Sequence, residues 1–121
     1  MSKFVIREVK TGIKFDLKAG NGETIATSEV YTSEAVCRSG IESVRKIAPG
    51  AGVEDQTAEG FDAMPHPKFE MYQDKAGLFR FRLKARNGKI IAVSEGYAAK
   101  SGCRSGIECV KKYAPEAEIV R

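Results

Sequence analysis

Residue types that carry much of enzyme chemistry are scarce in this chain. It has no tryptophan, one histidine and three cysteines among 121 residues. Cys37, Cys103 and Cys109 form no C-x-x-C pair, which argues against a disulfide framework and a zinc site. His66 lies between two prolines, with no nucleophile motif around it. Walker loops, nucleophile elbows and dinucleotide fingerprints are also missing from the sequence. We therefore expect no catalytic residues, no cofactor, no metal site and no enzymatic activity.

Long apolar runs are missing as well. No run approaches the ~20 residues that a membrane-spanning helix needs. The first ten residues, MSKFVIREVK, mix charges with apolar positions and lack the profile of a signal peptide. Hydrophobic residues still make up 42% of the chain, enough for a real core. We expect a cytoplasmic protein that has no membrane partner.

The positive charge is concentrated in the second half of the chain. The net charge is +4, but residues 55–67 carry only acidic charges, and residues 68–121 hold 12 Lys and Arg against 6 Asp and Glu. This imbalance directs attention to residues 68–121 as a possible anion-binding region.

The sequence contains an internal repeat. When residues 14–49 are aligned with residues 80–115, 21 of 36 positions are identical. The predicted organisation is one compact domain with repeat 1 at 1–54, an acidic linker at 55–67 and repeat 2 at 68–121. A unit of ~54 residues buries too little apolar surface to be well stabilised alone, so two repeats are expected to share one core.

Each repeat predicts three strands, a helix and a short β-like tail. Alternating apolar residues, such as Phe79, Phe81 and Leu83, indicate half-buried strands. Asn21-Gly22 and its copy at 87–88 predict two-residue type I′ hairpin turns. The helices carry apolar stripes at helical spacing, and each stripe includes a glycine, Gly40 or Gly106, which suggests that a large group packs against the backbone.

The residues of repeat 2 resemble those of a known family. The core F-x-L-K-A-x-N-G-x-I-I-A-x-S-E-G-Y, followed by C-R-S-G-I-E-x-V-K-K-x-A-P, is similar to that of the YegP-like uncharacterised bacterial family. Repeat 1 departs from the pattern at Asp16, Thr24 and Val30. The resemblance implies an α+β fold in which two β-β-β-α-β repeats share one antiparallel sheet. The helices then pack on one face, and the terminal strands are exchanged between the repeats. It implies no function.

One surface stands out as a candidate binding site. The candidate anion or nucleic-acid surface consists of cations on and after the second strand of repeat 2: Arg80, Arg82, Lys84, Arg86 and Lys89. Cations on an open sheet face can contact phosphates, but the favoured interpretation is a solvated face that keeps the sheet soluble. Repeat 1 offers only Lys14, Asp16 and Lys18 at equivalent positions, so no symmetric platform is expected.

The function therefore stays open at this stage. The first hypothesis is a small non-catalytic binding or accessory module with an unknown protein partner. The alternative is weak nucleic-acid binding through the basic strand face of repeat 2. A third hypothesis is a thiol-based role of Cys109, whose repeat partner is Ser43. We expect a monomer with an internal pseudo-two-fold axis.

Overall fold

The computed structural model describes residues 2–121, which form one sheet and two helices. In chain order the elements are β1 (Lys3–Val9), β2 (Gly12–Lys18), β3 (Thr24–Thr27), α1 (Glu34–Ile47), β4 (Gly52–Asp55), β5 (Lys68–Gln73), β6 (Phe79–Lys84), β7 (Ile90–Ser94), α2 (Lys100–Tyr113) and β8 (Glu118–Val120). Among these residues, no helix is long and apolar enough to cross a membrane.

The order of the strands confirms that the two repeats exchange their terminal strands. The eight strands lie in the order β4-β5-β6-β7-β3-β2-β1-β8. Strand β4 of repeat 1 therefore pairs with β5 of repeat 2, and β8 of repeat 2 pairs with β1 of repeat 1. The antiparallel contact between β3 and β7 joins the two halves at the centre of the sheet.

The expectation of a wholly antiparallel sheet was wrong at its two edges. Both exchanged strands run parallel to their neighbours, whereas the six inner strands are antiparallel. Hairpin turns force neighbouring strands to be antiparallel, but a strand that follows a helix can enter in either direction. The helix before each tail strand therefore permits the parallel pairing.

Both helices pack on the same face of the sheet and share one core. The four phenylalanines Phe4, Phe15, Phe69 and Phe81 are fully buried beneath them. Phe4 meets Phe15 edge to face, and Phe69 meets Phe81 in the same way. Because residues of both repeats join one cluster, the core belongs to neither repeat alone.

The hairpin turns differ from the type I′ turns that the Asn-Gly pairs predicted. Asn21 has no positive φ, while Gly22 has a φ of 88°. The N–H of Gly22 donates to the carbonyl of Ala19, and the N–H of Ala19 donates to that of Glu23. This is the three-residue loop with a glycine bulge, and repeat 2 builds it identically. The extra residue in the loop and a bulge opposite Leu83 and Lys84 leave Ile91 without a direct cross-strand partner and bury it.

Two tyrosines explain the glycines in the middle of the helices. A Cβ at Gly40 would lie 2.4 Å from the Tyr31 hydroxyl, and a Cβ at Gly106 would lie 2.5 Å from the Tyr97 hydroxyl. Each tyrosine thus closes one end of the core by packing against helix backbone. Its phenol is half-buried, and burial raises its pKa.

Symmetric hydrogen bonds tie each tail to the helix of the other repeat. Arg45 of α1 donates to the carbonyl of Ala117, and Lys111 of α2 donates to that of Ala51. Both alanines are buried. The tails are therefore part of the core structure of the opposite repeat.

Deletion of residues 117–121 is expected to lower the free energy of unfolding by about 3–5 kcal/mol, because it removes buried apolar surface and exposes the edge of β1 that pairs with β8. Urea denaturation of the full chain and the truncated chain would measure this. Deletion of Arg121 alone serves as the control and should cost less than about 1 kcal/mol, since its ion pairs are exposed. Equal stability of the full chain and the chain lacking 117–121 would contradict the role assigned to β8.

Candidate binding surface on the helix-free face of the sheet

The cations of β6 lie on the face of the sheet that the helices leave open, called the outer face below. Arg80, Arg82 and Lys84 alternate with the buried Phe81 and Leu83. Since successive strand residues point to opposite faces, the cations point away from the core. The structure thus places three of the five candidate cations in one row on the outer face.

Carboxylates of repeat 2 pair with this row. Arg80 Nε lies 2.6 Å from Asp74 Oδ2, and Arg82 Nε lies 2.6 Å from Glu70 Oε1. Lys84 Nζ is 3.6 Å from the same Glu70 oxygen. The guanidinium of Arg82 also lies over the ring of Tyr72, 4.5 Å from its centroid. The charge that the sequence concentrates here is therefore largely neutralised in the fold.

Glu70 belongs to a buried ionic cluster at the β4–β5 edge. Lys68 Nζ lies 2.5 Å from Glu54 Oε2 and 3.3 Å from Glu70 Oε2. All three residues are at most 6% exposed. With Arg82 and Lys84, the cluster holds three cations and two carboxylates, so it keeps one excess positive charge.

Hydrogen bonds in this cluster hold both carboxylates ionised. Burial raises the pKa of Glu70, but hydrogen bonds from Arg82 and Lys68 outweigh burial and lower the pKa overall. The hydrogen bond from Lys68 lowers the pKa of Glu54, and the two carboxylates raise the pKa of Lys68. The outer face therefore carries a network of fixed charges at neutral pH.

The remaining two candidate cations lie at the β6–β7 hairpin. Arg86 and Lys89 are exposed, and neither has a carboxylate within 4.0 Å among residues 2–121. They stay available to a ligand in a way that Arg80 and Arg82 do not. The candidate surface thus divides into a paired row on the strand and a free pair at the hairpin.

Sequence reasoning missed the buried acids of this surface. Glu70 lies between Phe69 and Met71, both of which are buried in the core, so strand alternation does place it on the outer face. Its partners were not recognisable, because Glu54 reaches the cluster only through strand exchange. No local pattern in repeat 1 indicates that contact.

The outer face of repeat 1 is organised around Asp16. Arg7 Nε lies 2.7 Å from Asp16 Oδ2, and the hydroxyl of Thr27 donates to Asp16 Oδ1. Burial raises the pKa of Asp16, but these two hydrogen bonds outweigh it and lower the pKa overall. Lys14 and Lys18 have no carboxylate within 4.0 Å in the described chain. They add two unpaired cations to the same face.

The linker covers one margin of the outer face. The N–H of Met64 donates to Glu54 Oε1, and the Met64 methyl group fills the space beside Gly52. His66 lies against Gly88 of the β6–β7 hairpin. Phe61 is exposed, so it does not anchor the linker.

The thiols lie apart from the outer face. Cys37 and Cys103 are buried, and burial raises both pKa values, that of Cys103 to about 11. Cys109 is partly exposed. Within residues 2–121, no group of three or more His, Cys, Asp or Glu is arranged to hold a metal ion.

Glu70→Gln is expected to lower the free energy of unfolding at pH 7 by about 1–3 kcal/mol, because it leaves Lys68 and Arg82 short of a charge partner. A carboxylate with a lowered pKa stabilises the fold above its unfolded value of about 4.3, and that contribution disappears as the pH falls through the folded value. The difference in the free energy of unfolding between Glu70→Gln and the wild type should therefore become smaller below about pH 4.

Thermal unfolding between pH 3 and pH 8 would measure this difference. Glu95→Gln is the matched control, since Glu95 is exposed and forms no ion pair among the described residues. A Glu70→Gln variant as stable as the control at pH 7 would contradict the assigned role of the cluster.

Comparisons with known proteins agree with the repeat and the fold. A family model described as "Domain of unknown function (DUF1508)" matches twice, at residues 11–55 and 74–120. A UPF0339 protein from the 5′ region of the ptx operon of Stutzerimonas stutzeri is 36% identical over 118 residues, 97% of this chain and 93% of that protein. A UPF0339 protein of Treponema denticola is 62% identical over 53 residues, 44% of this chain and 91% of that protein.

A solved structure shows the same architecture. The solution NMR structure of YegP from E. coli, described as a protein of unknown function, superposes with a TM-score of 0.80 at 33% identity. The match covers 98% of this chain and 90% of that one. Neither these relatives nor the family model brings an established activity. The chain belongs to the DUF1508 family, whose UPF0339 and YegP members it resembles over nearly its whole length, and it carries the family domain in tandem.

Proposed function

We propose that this chain is a small non-catalytic binding module whose binding surface is the outer face of the sheet. The observation that carries the proposal is the asymmetry of the two faces. Both helices cover one face, whereas the outer face has only the linker at one margin. That face presents fixed charges on rigid strands, which favours recognition of a complementary surface.

The arrangement of reactive groups supports a non-catalytic role. The carboxylates of the outer face are engaged in ion pairs, and their pKa values are lowered, so they are poor proton donors at neutral pH. The buried thiols have raised pKa values, which disfavours the nucleophilic thiolate. This counts against a nucleophilic role for Cys37 and Cys103, whereas the thiol hypothesis concerns Cys109 and stays a prediction.

We also propose that residues 1–121 act as one unit. The shared core and the exchanged strands support this, because the edge strand in each half of the sheet comes from the other repeat. Residues 56–67, which lie between β4 and β5, then connect two halves of one surface.

A second candidate function is weak nucleic-acid binding at the same face. Four cations favour it, since Arg86, Lys89, Lys14 and Lys18 have no carboxylate within 4.0 Å in the described chain. Phosphate contacts from unpaired cations release counterions and drive salt-sensitive binding. The pairing of Arg80 and Arg82 limits the strength of such binding, and Tyr72 is occupied by Arg82.

Photo-crosslinking in living cells tests the binding surface. A benzoylphenylalanine at Val93, which lies opposite Arg82 on the outer face, is expected to give a discrete crosslinked product. The same group at Ser39, exposed on α1, is the control and should give none. Equal products from both positions, or none from Val93, would contradict the assignment of the outer face.

Fluorescence anisotropy with labelled single-stranded RNA, single-stranded DNA and duplex DNA tests the second candidate. Arg86→Glu with Lys89→Glu should weaken binding at low salt by roughly tenfold and flatten the salt dependence, because two phosphate contacts are lost. Lys10→Glu with Lys112→Glu, an equal change of charge at two exposed positions outside the candidate surface, should leave it nearly unchanged. Equal loss in both variants, or no binding by the wild type, would exclude this function.

A further inference from the structure

The exchanged strands end in opposite charges. Asp55 closes β4, and Arg121 follows β8 at the equivalent position of repeat 2, 66 residues later. Each of these two residues contacts the first turns of the helix of the other repeat. The contacts are therefore equivalent in position but opposite in sign.

In the half that accepts β4, the strand supplies the acid and the helix supplies the bases. Asp55 Oδ2 lies 2.6 Å from Lys100 Nζ and 2.9 Å from Arg104 Nη2. Burial raises the pKa of Asp55, but the hydrogen bonds from Lys100 and Thr57 outweigh it and lower the pKa to about 2. The Asp55 side chain is only 18% exposed, so water screens this pair less than a surface pair.

In the half that accepts β8, the strand supplies the base and the acceptor supplies the acids. Arg121 Nε lies 2.9 Å from Glu34 Oε1, and Arg121 Nη2 lies 3.5 Å from Glu8 Oε1. Arg38 also reaches Glu34, at 2.9 Å. This acceptor thus holds two acids and one base.

The acceptors differ at the aligned positions. Glu34 corresponds to Lys100, and Glu8 corresponds to the neutral Gln73, while Arg38 corresponds to Arg104. The acceptor of repeat 1 therefore has an excess of one negative charge, and that of repeat 2 has an excess of two positive charges. Each acceptor is complementary to the strand that it receives and not to the strand of its own repeat.

A second difference lies one residue earlier in each tail. Glu54 of β4 is 3% exposed and binds the buried Lys68 of its acceptor strand. The aligned residue of β8 is Val120, which pairs with Val5 of β1 on the same outer face. The acceptor residue opposite the tail is therefore the charged Glu70 in repeat 2 and the apolar Val5 in repeat 1.

The contacts of Asp55 and Arg121 form an outer layer of this selection, and those of Glu54 and Val120 form an inner layer. We propose that the two layers specify which repeat accepts which strand. The edge of repeat 2 then fits a strand ending in Glu-Asp, and the edge of repeat 1 fits one ending in Val-Arg. With β8 on the edge of repeat 2, Arg121 would face Lys100 and Arg104, and Val120 would replace Glu54, one of the two carboxylate partners of Lys68. With β4 on the edge of repeat 1, Asp55 would face Glu8 and Glu34, and Glu54 would lie beside Val5.

The same layers disfavour pairing between like repeats of two chains. A repeat 1 dimer would place Asp55 beside Glu34 at both of its edges, and a repeat 2 dimer would place Arg121 beside Lys100 at both. Like charges in contact cost free energy. The unlike pairing within one chain is the arrangement that satisfies every edge.

A charge exchange in the full chain tests the outer layer. The strand variant Asp55→Arg with Arg121→Asp keeps the net charge and is expected to melt about 5–10 °C below the wild type at low salt. The acceptor variant carries Glu8→Lys, Glu34→Lys, Lys100→Glu and Arg104→Glu, keeps the net charge as well, and should also melt lower. The combination of all six substitutions restores complementarity and should recover at least half of the loss.

A recovered melting temperature in the combined variant would support the proposal, because only complementary charges can compensate for one another. The recovery should be smaller in 1 M NaCl, since salt screens the charges. Additive losses in the combined variant would overturn it, since they would mean that each residue acts locally, for example Asp55 only through Thr57. A strand variant that melts at the same temperature as the wild type would overturn the proposal as well.

The inner layer is tested by exchanging Glu54 and Val120. Glu54→Val with Val120→Glu keeps the composition, and amide hydrogen exchange at β4 and β8 is expected to become at least about tenfold faster than in the wild type. The control is the single substitution Glu116→Val at an exposed position just before β8, which should leave both strands protected from hydrogen exchange. Unchanged protection of β4 and β8 in the exchanged variant would overturn the role of this layer.

Discussion

The structure depends on the pairing of each tail strand with the first strand of the other repeat. This pairing completes the sheet at both edges and brings the buried Ala51 and Ala117 under the helix of the opposite repeat. Because the phenylalanines of both halves then enclose one core, the stability of each half depends on the other. A small unit that could not bury enough surface by itself becomes half of a larger fold.

The outer face shows how tertiary contacts change the meaning of a charged strand. Read along the chain, β6 is a row of cations, but in the fold Asp74 and Glu70 pair with that row. Glu70 in turn shares Lys68 with Glu54, which arrives from the other repeat. The free positive charge is consequently displaced to the hairpin at Arg86 and Lys89, and to Lys14 and Lys18 of repeat 1.

Duplication has left the two halves similar in their cores and different at their contacts. The helix glycines and their tyrosines are kept in both halves, since a Cβ at either glycine would collide with a phenol. The strand ends have diverged to opposite charges, Asp55 and Arg121. Core positions must satisfy the same packing twice, whereas edge positions meet different neighbours and are free to become complementary.

The sequence alone determined the repeat, the strand and helix types, the buried face of each helix and the family fold with its exchanged strands. The repeat and the element types follow from periodicity, which is local to each repeat. The exchanged strands follow from the resemblance of a long motif to a known family. The turn type, the burial of Ile91, the parallel edges and the partners of Arg80 and Arg82 were decided by tertiary structure. Each depends on a bulge or on a residue far away in the chain, and a charge pattern along one strand does not record which carboxylate the fold brings beside it.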